Sequence, residues 1–178
     1  MKTAIASIAM LACLAACASL APPQPRQVAL TTLFSPQEVA WFTTTGMGSV
    51  TGQAFFQTRG GQPRTCAGLE VSLQPHSTYG DERLTAIYGN ATGGYTPALA
   101  SRVQFTPDDL DYQQVRKTSI CDAQGNFSFT GLPAGKYFLV AAVVWTVPGQ
   151  EFAPPQGGPL MKSFTLADGE TKRVILTP

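Results

Sequence analysis

From Met47 onward the chain alternates apolar and polar positions with a period of two, the signature of strands with one face buried. Val50–Gln57 forms one such run, and Leu69, Val71 and Leu73 alternate with Glu70, Ser72 and Gln74. Strand character resumes over Gln113–Ile120. Asp122-Ala123-Gln124-Gly125 then reads as a turn, with aspartate first and glycine fourth. After it, Phe127 and Phe129 point one way while Asn126, Ser128 and Thr130 point the other. The run Lys136–Val147 is apolar on both faces, which predicts a central strand covered on both sides. The expected covers are the irregular stretch 75–111, which holds one possible short strand near Thr85–Tyr88, and the loop 148–159. Phe164–Leu166 and Lys172–Leu176 close the chain around a turn at 167–170. Upstream, Ser35-Pro36-Gln37-Glu38 has the form of a capping box with proline at the first helical position, predicting one short helix over 36–42 docked through Trp41 and Phe42. The pattern predicts an all-β, Greek-key β-sandwich of about seven strands with one short N-terminal helix.

The beginning of the chain departs from this pattern. Lys2 is followed by an apolar, alanine-rich run to Ala16, too short for a comfortable membrane span and ending in small residues, as a secretory signal does. Leu14-Ala15-Ala16-Cys17 resembles the lipobox of bacterial lipoproteins. That resemblance implies cleavage before Cys17 and lipid on its thiol and new amino end. Ala18 follows where an aspartate would imply inner-membrane retention, so the expected address is the bacterial outer membrane, facing the periplasm or the exterior. The organisation expected is a signal at 1–16, a lipid anchor and proline-rich tether at 17–34 with Pro22, Pro23 and Pro25, and one domain at 35–178. No stretch after Cys17 is long and apolar enough to cross a bilayer as a helix.

Composition supports the strand reading: 17 glycines and 14 prolines are spread along the 178 residues as turns would require. Charged residues make up 13%, with a net charge of +1 and no basic patch, so nucleic acid is not an expected partner. Of the four cysteines, Cys13 leaves with the signal and Cys17 takes the lipid. Cys66 and Cys121 remain, either buried separately or paired; in an oxidising compartment the pair is the expectation.

The segment Asp122–Val140 resembles the core of carboxypeptidase regulatory-like domains, which belong with transthyretin-like (prealbumin-like) and CnaB-type sandwiches. Gly125, Phe127, Phe129, Leu132, Pro133, Gly135 and Tyr137 carry the pattern. Val50-Thr51-Gly52 and Gly68–Leu73 resemble the first two strands, and 166–176 the closing hairpin. The resemblance spans about 48–75 and 117–177, leaving 76–112 as an insertion. It implies architecture and no activity, since the zinc-bearing peptidase domain has no counterpart.

Chemistry is sparse. His76 is the only histidine, and no nucleophile elbow or H-E-x-x-H motif is present. Asp108, Asp109 and Asp111 could offer oxygens to calcium, but they lack the EF-hand glycine and glutamate, and they read better as the acidic start of a helix. The expectation is therefore a non-enzymatic protein without cofactor or metal, serving as an envelope interaction or scaffold module that meets a protein through 76–112 or 148–159. The alternative is a carbohydrate- or peptidoglycan-binding module in which Tyr79, Tyr88, Tyr95 and Tyr112 stack on sugars.

Overall fold

The computed structural model describes residues 24–100, 102–149 and 153–178. The signal, Cys17 and the first part of the tether lie outside these residues. The described strands are β1 (Arg26–Ala29), β2 (Gly48–Gln57), β3 (Pro63–Thr65), β4 (Glu70–Pro75), β5 (Gly93–Tyr95), β6 (Val103–Thr106), β7 (Lys117–Ile120), β8 (Asn126–Leu132), β9 (Gly135–Trp145), β10 (Gln156–Leu166) and β11 (Thr171–Leu176). The helices are α1 (Thr78–Tyr88), α2 (Leu110–Gln114) and a 3₁₀ helix, Pro36–Thr43.

The fold is the expected β-sandwich. One sheet has the order β5-β10-β9-β4-β7. In the other, β2 pairs in parallel with β11 and antiparallel with β8 and β3. Between the sheets lie Val50, Val71, Leu73, Phe127, Phe129, Tyr137, Leu139, Leu160 and Leu176, each with little or no exposure. All but Leu160, which lies in no expected strand, fall in the runs whose alternation predicted strands. Phe42 joins the core from the 3₁₀ helix, and Trp41 meets Tyr137 edge-on at 5.2 Å. The Cys66–Cys121 disulfide is present, with Cα atoms 5.7 Å apart. Because Cys66 follows β3 and Cys121 follows β7, it ties one sheet to the other.

The doubly apolar strand β9 is indeed central, between β4 and β10. Its outer face is covered by a helix: Leu84 of α1 packs with Phe138 and Met161, flanked by Tyr88 and Val140. This corrects the reading of 75–111 as irregular, since the strand expected at 85–88 is the last turn of α1. Ser77 caps α1 by accepting from Gly80 N–H, and Gly89 ends it. The capping box at Ser35 also differs. Ser35 makes no side-chain cap, and Glu38 instead accepts from Thr78 N–H (2.8 Å) and Oγ1 (3.0 Å), so its carboxylate serves the amino end of α1.

The distal part of the expected tether is structured. Arg26–Ala29 pairs in parallel with Val103–Thr106, and Leu30 is buried with Tyr79, Phe105 and Tyr112 in a second core outside the sandwich. Glu82 of α1 fastens this segment. Its Oε1 accepts from Thr31 N–H and Oγ1 at 2.8 and 2.9 Å, and its Oε2 from Thr32 N–H at 2.8 Å. The expected closing hairpin is not one: β10 pairs with β9 while β11 crosses to pair with β2 in the opposite sheet.

Candidate functional site

At the end of the sandwich where β9 stops and β10 begins, a cleft of about 690 Å³ opens, within the range of small-ligand sites. It is an aromatic platform with a polar rim. Phe56 forms its floor; the alternation that buries Val50 and Ala54 along β2 also turns Phe56 inward. Tyr95, at the end of edge strand β5, stands edge-on to Phe56 with ring centroids 5.0 Å apart. Trp145, the last residue of β9, lies 5.8 Å from Phe56 on another side. Val147 extends the apolar wall, and Thr58, Arg59 and Gln156 supply the polar groups.

Two adjacent glycines shape this end. Gly157 has φ of +76°, and a Cβ there would collide with the Val143 carbonyl and the six-membered ring of the Trp145 indole. The indole therefore rests directly on bare backbone. A Cβ at Gly158 would strike Thr96 O and Ala98 N, so its absence lets the chain beyond Tyr95 close against β10. Hydrogen bonds from Thr96 N to Pro159 O (3.2 Å) and from Ala98 N to Gly157 O (2.9 Å) hold that wall. Tyr95 remains 40% exposed, enough to offer a ring surface to a ligand.

The four tyrosines expected to stack on sugars divide. Tyr79 and Tyr112 pack in the second core with Leu30 and Phe105, away from the aromatic cleft. Tyr79 is fully buried; its hydroxyl donates to Pro107 O (3.1 Å) and accepts from Asp109 N (3.0 Å). Tyr112 donates to Gln74 Oε1 (3.0 Å), and burial pushes its phenol up to about 12. Tyr88 is half-buried on α1, where desolvation raises its phenol. Tyr95 alone of the four lines the aromatic cleft. Phe56, Trp145 and Arg59 were not singled out as site residues. The available signal was the surplus of apolar residues at the end of β9 followed by Gly157-Gly158.

The other chemically suggestive residues have structural partners. His76 stacks on Phe138 at 5.2 Å, and its Nε2 lies 2.8 Å from Asp81 Oδ2. Asp108 pairs with Arg83 at 2.6 Å. Asp109 caps α2 by accepting from Asp111 N and Tyr112 N, and Asp111 lies in its first turn. The helix start read from these acids is therefore present. Among the described residues, no group of three or more His, Cys, Asp or Glu side chains is placed to hold a metal ion.

No family model matches the chain, and no curated protein does. Among solved structures, the chain is similar to a candidate carbohydrate-binding protein from Pseudomonas aeruginosa, with a TM-score of 0.66 and 23% identity over 83% of this chain and 99% of that one. At that identity the likeness bears on the fold alone. A minor pilin of Streptococcus agalactiae aligns with a TM-score of 0.36 and 17% identity over 76% of this chain and 44% of that one, too distant to support an argument.

Proposed function

We propose that the protein is a non-catalytic glycan-binding sandwich, of carboxypeptidase regulatory-like type, held at the outer membrane by lipid on Cys17. The observation that carries the binding role is the grouping of Phe56, Tyr95 and Trp145 in one open cleft with Thr58, Arg59 and Gln156 at its rim. Pyranose rings present C–H faces that are apolar and weakly positive, which suits the electron-rich face of an indole or phenol. Their hydroxyls need donors and acceptors around that platform, which an amide, a hydroxyl and a guanidinium supply. The fold is shared with the Pseudomonas aeruginosa protein, itself described as a candidate carbohydrate binder, and this reading agrees with that description. The lipid anchor rests on Leu14-Ala15-Ala16-Cys17, and the domain type on the pattern Gly125 to Tyr137.

The test is a glycan array probed with the full chain, followed by calorimetry on the hits with wild type, Tyr95→Ala and Trp145→Ala. Binding weakened by both substitutions supports the reading. Binding untouched by either, in proteins that remain folded, rejects the cleft as the site.

A further inference from the structure

We infer that the ligand of this cleft is an acidic sugar, an oligosaccharide whose carboxylate is met by Arg59; this rests on the glycan reading above. Arg59 is the one charged side chain lining the cleft among the described residues. It belongs to none of the ion pairs recorded among them, which join His76 to Asp81, Arg83 to Asp108 and Lys172 to Glu170. No carboxylate side chain among the described residues lining the cleft opposes it, and the main-chain carboxylate of Pro178, which also lines the cleft, makes no ion pair with it.

The position of Arg59 is set by a closed turn. Thr58 N–H donates to Gln62 O (3.0 Å), Gly61 N–H to Thr58 O (2.8 Å), and Gln62 N–H to Thr58 Oγ1 (3.2 Å). That turn directly continues β2, the strand that places Phe56 in the cleft floor, so the backbone of Arg59 is held beside the aromatic platform and its exposed side chain reaches the cleft. A guanidinium presents a planar fork of donors that matches a carboxylate through two parallel hydrogen bonds. A neutral sugar on the same platform leaves the fork to water and gains nothing from it. An amino sugar would bring like charge to the guanidinium. An apolar ring platform beside one unpaired arginine therefore selects a sugar that carries an acid.

The experiment measures binding of the full chain to galacturonate and glucuronate oligosaccharides, their neutral galactose and glucose counterparts, and inorganic tripolyphosphate. The acidic oligosaccharides should bind about tenfold tighter than the neutral ones, as a charge-assisted hydrogen bond predicts. Arg59→Gln and a rise from about 20 to about 500 mM salt should erase that preference by weakening the acidic ligands alone. Trp145→Ala should weaken acidic and neutral ligands together. Equal binding of acidic and neutral sugars, unchanged in Arg59→Gln, overturns the acidic assignment and leaves the glycan site standing. Tripolyphosphate binding as tightly as the uronates and unaffected by Trp145→Ala shows a generic anion site and also overturns it. Failure of every sugar to bind a folded chain rejects both readings.

Discussion

Replacing Trp145 with alanine should affect binding and stability by amounts that can be separated. The indole is half-buried, resting on Gly157 and facing Phe56 at 5.8 Å. A fully buried Trp→Ala change costs about 3–5 kcal/mol, so half burial at a strand end predicts about 2 kcal/mol of destabilisation. For a domain of this size that lowers Tm by roughly 4–8 °C, leaving the protein folded at 25 °C. The binding loss is of similar size, because a sugar seated on the indole buries apolar area on both partners; about 2 kcal/mol corresponds to a Kd raised roughly 30-fold. Calorimetry on an array-identified oligosaccharide reads the second effect and differential scanning calorimetry the first. Trp41 supplies the control, since it packs on Tyr137 away from the cleft; Trp41→Phe should leave affinity unchanged. A folded Trp145→Ala protein that binds within about twofold of wild type would refute the assignment, because no ring of this size can leave a stacking site so cheaply.

The remaining predictions concern the frame and the address. Replacing Cys66 and Cys121 together with alanine opens a loop spanning 55 residues and should cost about 4 kcal/mol on the chain-entropy model, read as a lower midpoint in urea; a loss under about 1 kcal/mol would show that the bridge adds little to the packed sheets. The Glu82 carboxyl is held down to about 2 from 4.5, first by the Thr31 N–H and then by Thr32. Because its folded value is depressed, the clamp it forms is complete above about pH 4.5 and is lost as pH falls toward 2. Amide protection factors, taken relative to the intrinsic rate at each pH, should therefore fall in 26–34 across that window before they fall in β9 and β10, and Glu82→Gln should remove the acid dependence. Cys17→Ala should move the protein from the membrane fraction to the soluble fraction; continued membrane association would contradict the anchor.

Strands that bury one face were legible because period two leaves a direct trace, as in Phe127 and Phe129 or Val71 and Leu73. Helix α1 left none. Its sequence, TYGDERLTAIY, carries a glycine and β-branched residues, and its buried Tyr79, Gly80 and Leu84 do not make a clean apolar stripe. Tertiary contact with Phe138, together with caps from Ser77 and the distant Glu38, holds it where propensity would not. β1 was hidden because its partner, β6, lies in the insertion, and strand pairing is not written in either strand alone. For the same reason β11 read as a hairpin partner of β10 although it joins the other sheet. The cleft was the least legible feature. Phe56, Tyr95 and Trp145 come from three separate strands, and only the folded sheets bring them together. Tyrosine content pointed toward aromatic recognition in general terms, yet Tyr79 and Tyr112 show that identity without burial cannot separate a platform from a core.

The central claim is that the end of the sandwich at Trp145 is a glycan site. The most direct measurement is backbone and indole NMR shift mapping of the full chain titrated with an oligosaccharide that binds it. The account predicts that the largest shifts fall on the Trp145 indole N–H, Tyr95, Arg59 and Gly157, with Trp41 unmoved. Shifts gathered instead in the cleft beside α1 that Arg83, Tyr88 and Arg116 line, with the Trp145 end silent, would contradict it.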